Sequence, residues 1–232
     1  TFSCYRRFPF FKSDRTCQWL AESIEQARLH LNFQLWAYVM MPDHVHLLIS
    51  PAADDAEIGK ILRAIKASPA KRAIQFLEDN SPHWLEKITR RRGNRQERLF
   101  WQSGGGYDRN VAGPRSLVAM IDDIHANPVR KQFVERPRDW HWSSAAWYDD
   151  QSDIPIPVDQ ISFDWLESQT AFWGQIADID SIASSPIHSS NLSPATQPRQ
   201  QHEHGSWTGA RIHVRPADAM RTGHLAVFSG LN

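Results

Sequence analysis

His44 and His46 stand two residues apart at the head of an apolar run, Met41-Pro42-Asp43-His44-Val45-His46-Leu47-Leu48-Ile49. Side chains of a strand alternate between its faces, so both imidazoles leave one face while Val45 and Leu47 leave the other. Two neutral imidazoles on a rigid strand make half of a divalent-metal site. Such a pair alone binds weakly, so a third donor is needed. Asn127 can supply an amide oxygen, and Asp123 lies four residues before it on the same helical face. Each residue also has a plainer reading. Strand histidines can simply be buried and hydrogen-bonded, Asn before Pro commonly ends a helix, and a helix Asp can simply be solvated. If a divalent ion is held there, it would polarise a phosphodiester and stabilise the charge developing on it.

The elements that must position these residues follow from periodicity. Residues 1–10 read as a strand. Residues 15–30 carry Trp19, Leu20, Ile24 and Ala27 on one helical face. Phe33 to Met40 and His44 to Ile49 form a hairpin around Pro42-Asp43. A helix begins near Ile58, and Ser68-Pro69 predicts a break or kink in it. Arg90 to Phe100 reads as a loop, Phe100-Trp101-Gln102 as a short strand, and residues 115–126 as a helix ended by Pro128. A short helix from Val129 to Phe133 follows. The order strand, helix, strand, strand, helix, strand is the split βαβ pattern of a ferredoxin-like α+β fold, with one helix layer on an antiparallel sheet.

Length sets the scale: 232 residues hold one sizeable core and an appendage. Residues 1–150 are expected to form the main domain and 151–178 a helical extension built on Phe163, Trp165, Leu166, Phe172 and Trp173. The Ser-, Pro-, Gln- and His-rich residues 179–232 have the composition of a disordered tail. No stretch reaches eighteen uninterrupted apolar residues, so no membrane span is expected. Cys4 and Cys17 match no zinc pattern and read as reduced thiols of a cytoplasmic protein. The chain opens on Thr1 rather than Met, so a late start or a fragment is expected. Its 26 basic and 26 acidic residues cancel, which argues against a grossly basic nucleic-acid binder. Locally the balance differs. Arg90, Arg91, Arg92, Arg95 and Arg98, with Lys87, face only Glu97 and form a stripe suited to a polyanion.

Four motifs occur in a telling order: Trp36-Ala37-Tyr38-Val39-Met40-Met41-Pro42-Asp43-His44-Val45-His46-Leu47-Leu48, Phe100-Trp101-Gln102, Ile124-His125-Ala126-Asn127-Pro128-Val129-Arg130 and Asp139-Trp140-His141-Trp142-Ser143-Ser144. Together they resemble the single-tyrosine (HUH-type) transposases, in the repeat-associated branch, over residues 1 to 150. The resemblance implies cleavage and strand transfer on single-stranded or hairpin DNA by a homodimer. It implies that His44, His46 and Asn127 hold Mg²⁺ or Mn²⁺, and that a tyrosine one helical turn before Asn127 attacks the phosphodiester.

That tyrosine position holds Asp123. The four tyrosines are Tyr5, Tyr38, Tyr107 and Tyr148, and none falls in the helix 115–126. Tyr107, after Gly104-Gly105-Gly106, is the one substitute a loop could present. Three outcomes stay open: a catalytically degenerate protein that binds DNA or RNA, a metal-dependent phosphodiesterase in which Asp123 activates water or joins the metal, or an aspartyl intermediate at Asp123. The arginine stripe, with Arg109 and Arg130 as weaker members, is the expected phosphate-binding group. Phe100, Trp101, Trp140 and Trp142 could stack unpaired bases, but aromatic residues beside apolar runs are more often core.

Overall fold

The hairpin around Pro42-Asp43 forms the centre of the sheet. In the computed structural model, which describes residues 1–53, 55–104, 108–111, 113–150 and 152–161, β2 (Phe33–Met41) and β3 (His44–Pro51) pair antiparallel. β1 (Phe2–Ser3) adds to the other side of β3, again antiparallel, giving the order β1-β3-β2. Beyond β1, a single bridge joins Cys4 to Trp101. That bridge occupies the fourth-strand position of a ferredoxin-like sheet. The class is α+β, as expected, although the fourth strand is one residue pair rather than Phe100-Trp101-Gln102.

The ladder fixes which side chains face which way. Val45 and Met40, opposite each other, face one core with Tyr38 and Leu35, while Val39, Met41 and Leu48 face a second. A register shift between Leu35 and Ala37 lets Trp36 and Ala37 both point to the second core. Such a bulge re-aims side chains without ending the strand. His44 and His46 share parity with Leu48 and therefore look toward the second side.

α1 (Asp14–Leu31) and α2 (Ile58–Asn80) cover the first side. α1 buries Cys17, Leu20, Ala21, Ile24 and Ala27, the spacing of one helical face, and stops at Asn32 in the left-handed conformation, whose N–H donates to the Arg28 carbonyl at 3.0 Å. Each fully buried Leu or Ile there contributes roughly 1.5–3 kcal/mol. α4 (Pro114–His125) covers the second side through Leu117, Ile121 and Ile124. The single helix layer expected from the sequence is thus corrected: both faces of the sheet are covered.

Three further expectations change. Residues 1–10 are not one strand; after β1 the chain runs through two short 3₁₀ turns, Tyr5–Arg7 and Phe10–Lys12, and buries Phe11. Arg90 to Phe100 is not a loop. α3 (His83–Ile88) leads into β4 (Thr89–Arg92), which pairs with β5 (Arg95–Arg98) across Gly93-Asn94, with Gly93 at φ 56°. And α2 does not break at Pro69. A proline deprives the carbonyl four residues earlier of its donor. Here that carbonyl, on Ile65, accepts a 2.9 Å hydrogen bond from the Ser23 hydroxyl of α1 instead.

Residues 154–161 lie against the same body. Ile156 and Ile161 are buried, and Asp159 receives the Leu35 N–H at 2.7 Å and Arg28 at 2.6 Å. Cys4 and Cys17 are free and buried. Among the described residues no helix is long and apolar enough to cross a membrane. Tyr107, the 163–173 apolar stretch and the polar tail lie outside the described residues.

Candidate metal centre and nucleic-acid interface

His44 and His46 meet edge to face, with ring centroids 4.9 Å apart, so the shared face expected from their spacing is real. His44 is held from behind. Its Nδ1 lies 2.7 Å from Asp43 Oδ1, and Asp43 Oδ2 lies 2.7 Å from Arg7 Nε. A carboxylate accepts, so the proton sits on Nδ1 and the Nε2 lone pair is available. A carboxylate behind a histidine fixes both tautomer and ring orientation, as in many metal sites. The turn carrying Asp43 is itself clamped, its carbonyl accepting from Cys4 N–H at 2.8 Å and the Pro42 carbonyl from Phe11 N–H at 2.9 Å. Arg6 and Arg7 take positive φ, 52° and 58°, as the chain swings Arg7 toward Asp43.

His46 Nδ1 lies 2.9 Å from the Thr1 hydroxyl, whereas its Nε2 is buried with no hydrogen-bond partner. An orphaned buried nitrogen is costly unless something else uses its lone pair. Burial pushes both histidines below their ordinary pKa. His46 falls to about 4, with His44 beside it as the next cause, and His44 is lowered against the opposing pull of Asp43. Both rings are therefore neutral near pH 7, the form that ligates metal.

Facing the strand is the C-terminal end of α4, followed by the short α5 (Asn127–Arg130). Asn127 Nδ2 donates to the carbonyls of Asp123 at 2.8 Å and Ile124 at 3.1 Å. The side-chain oxygen is thereby turned away from these carbonyls, and it has no hydrogen-bond partner among the described residues. Asp123 is exposed and paired with Arg130, whose guanidinium reaches its Oδ1 at 2.6 Å and its carbonyl at 3.1 Å. His46, Asp123, Asn127, Arg109 and Arg130 all line one cleft of about 520 Å³. His44, only 7% exposed, does not line it. Among the described residues no three His, Cys, Asp or Glu side chains are grouped to hold a metal. The orphaned Nε2 of His46, the oriented ring of His44 and the open amide oxygen suit a hard or borderline divalent cation.

The arginine stripe lies elsewhere, on the β4–β5 hairpin. Arg90 pairs with Glu97 and Arg98 with Glu78, while Arg91, Arg92 and Arg95 make no ion pair among the described residues. Of the aromatic candidates for base stacking, Phe100, Trp101 and Trp142 are core, whereas Trp140 is half-buried and stacks on the exposed Phe133. Phe100 and Trp101 are buried, with Trp101 Nε1 donating to the Lys66 carbonyl at 2.8 Å. Trp142 donates to Asp14 at 2.8 Å and Trp140 to the Met40 carbonyl at 3.0 Å. Sequence reasoning missed Asp43 and Arg7. An acidic residue directly before the first histidine was the available signal for Asp43, whereas nothing local announced Arg7.

Comparisons with known proteins give the following likenesses. Residues 1–104 match the family model described as Transposase IS200 like, a span that includes both histidines and ends before α4. A protein of Haemophilus influenzae named as a REP-associated tyrosine transposase is 27% identical over 148 residues, covering 59% of this chain and 77% of that relative. A solved structure of a REP-associated tyrosine transposase bound to a REP hairpin aligns over 69% of this chain and 90% of its own, at 20% identity and a TM-score of 0.42. Over residues 1–104 the chain is thus similar to the IS200-like transposases, and in sequence it is similar to a REP-associated tyrosine transposase.

Proposed function

We propose that this chain is a transposase-like DNA-binding protein whose domain over residues 1–150 takes single-stranded or hairpin DNA at the cleft beside His46. In this reading His44, His46 and Asn127 hold Mg²⁺ or Mn²⁺. The observation that carries it is the buried, unpartnered Nε2 of His46 on the wall that Asn127 and Asp123 also line. When bound, such an ion would polarise a phosphodiester and favour its cleavage. The chain's own residues do the rest. Asp43 and Arg7 hold the His44 ring, the α4 carbonyls hold the Asn127 amide, and Arg130 holds the Asp123 carboxylate at the mouth of the cleft. Arg91, Arg92 and Arg95 bind phosphates from the hairpin, with Arg90 and Arg98 beside them and Arg109 and Arg130 in the cleft. A homodimer is the assembly proposed from the resemblance.

A second reading is favoured by one observation: α4 presents Asp123 and no tyrosine. Cleavage then proceeds by hydrolysis, with Asp123 as the base for water, or does not proceed and the protein only binds nucleic acid. Incubation with labelled hairpin-forming single strands and Mn²⁺, followed by a denaturing gel, separates these. A covalent adduct lost in Tyr107→Phe but kept in Asp123→Asn supports strand transfer through Tyr107. One lost in Asp123→Asn instead points to an aspartyl intermediate. Cleavage without an adduct, lost in His46→Ala, supports hydrolysis. Salt-sensitive binding without cleavage leaves a binding module. No binding to any DNA overturns the proposal.

A further inference from the structure

The end of α4 and the start of α5 deliver side chains to two opposite places. Asp123 and Asn127 look into the cleft, while His125 is buried on the opposite side of the same turn. The apolar contacts of Leu117, Ile121 and Ile124 hold α4 on the sheet, but contacts of that kind are non-directional and do not fix a helix along its own axis. His125 does what they cannot. Its Nε2 lies 2.8 Å from Ser144 Oγ. That hydroxyl also accepts the Tyr38 N–H of β2 at 2.9 Å, and the Ser144 N–H donates to the Tyr38 carbonyl at 3.0 Å. Ser143 is bridged to Val39, and Val39 stands directly opposite His46 in the β2–β3 ladder. Tyr148 packs against the imidazole with centroids 5.1 Å apart and donates its hydroxyl to the Trp36 carbonyl at 2.8 Å. The ring is therefore gripped at its tip and at its side.

From these contacts we infer that His125 is a positioning residue for the metal centre: the His125–Ser144 hydrogen bond sets the distance between Asn127, at the start of α5, and His46 on β3. This rests on the proposed ligand set of His44, His46 and Asn127. His125 touches neither cation nor DNA. It acts by making the helix end and the strand one rigid piece, and outer-shell support of that kind typically governs metal affinity.

The test uses the full chain and Mn²⁺ alone. His125→Leu keeps bulk and loses the hydrogen bond, whereas His125→Gln places an amide near the former Nε2. If His125→Leu does not fold, His125→Asn, too short for Ser144, replaces it. Titration calorimetry well below the unfolding temperature is expected to show about tenfold weaker Mn²⁺ binding in His125→Leu, recovered in His125→Gln. A folded His125→Leu that binds Mn²⁺ like the parent overturns the inference. NMR of the metal-free protein gives a second readout, through the side-chain amide of Asn127 and the imidazole of His46. If the parent binds no Mn²⁺ at all, the metal reading fails. The positioning inference then stands if these signals shift in His125→Leu and return in His125→Gln, and falls if they do not move.

Discussion

The cleft wall and the β4–β5 hairpin are built on opposite plans. Around His44, His46 and His125 the chain buries its imidazoles wholly or in part, keeps them neutral and orients them through Asp43, Thr1 and Ser144. On the hairpin, Arg91, Arg92, Arg95 and Arg98 stand in solvent and Arg90 is half-buried, with Arg90 and Arg98 tied to carboxylates. The first arrangement fixes geometry; the second supplies charge with little geometry. Surface ion pairs contribute little to stability, so the hairpin can exchange Glu97 or Glu78 for a phosphate at small cost. The buried, unpartnered Nε2 of His46 has no such freedom, a constraint that Arg90, whose Nε is likewise buried without a partner, shares on the hairpin. One region is suited to holding a small cation, the other to holding a flexible polyanion.

Separate perturbations should therefore act on separate readouts. His46→Ala is expected to weaken Mn²⁺ binding by on the order of a hundredfold while leaving the salt dependence of DNA binding unchanged, by calorimetry and filter binding. Loss of both together would mean the regions are not independent. Acid should act on the buried side next. His46 and His125 have folded-state pKa values of about 4, depressed by burial from an ordinary value of 6.5. As pH falls through 6.5 the unfolded chain takes up protons that the fold refuses, so stability present above pH 6.5 is lost progressively down to pH 4. For His125 alone this amounts to about 3 kcal/mol. Urea unfolding of the metal-free protein at pH 7 and pH 4.5 measures it, and a flat profile would contradict the burial of these rings.

Replacing Arg91, Arg92 and Arg95 together by Gln should weaken single-stranded DNA binding roughly tenfold or more near 0.1 M salt. It should also reduce the slope of log affinity against log salt by about two, with Mn²⁺ binding untouched. An unchanged slope would remove the hairpin from the interface. Smallest is Asp43→Asn, which leaves the ring in place but weakens its tether. Mn²⁺ affinity should fall by about tenfold or less, and DNA binding without metal should not change.

The sequence made the two buried faces easier to read than the joints between them. Period two placed His44 and His46 together because β3 is regular from end to end. The 3.6-residue repeat of Leu117, Ile121 and Ile124 found α4 for the same reason. The arginine hairpin was missed because its strands have no apolar face to alternate, leaving Gly93-Asn94 as the one turn signal. Asp43 was visible as a neighbour of His44 but not as its partner, since Arg7 and the turn that bring it there are set by contacts distant in sequence. The second helix layer was hidden too, because β2 is apolar on both faces and its bulge at Trp36 disguises the alternation. Asp123 was placed correctly on the helix, but its pairing with Arg130 depends on the turn at Ala126 between α4 and α5, which no local pattern encodes.

The Ser23 hydroxyl beneath Pro69 has a consequence for how this protein comes together. The middle of α2 is completed by a group on another helix, so its continuity belongs to the pair and not to the segment. A peptide spanning Ile58–Asn80 alone should melt near its centre, and the two halves should become one rod only when α1 docks.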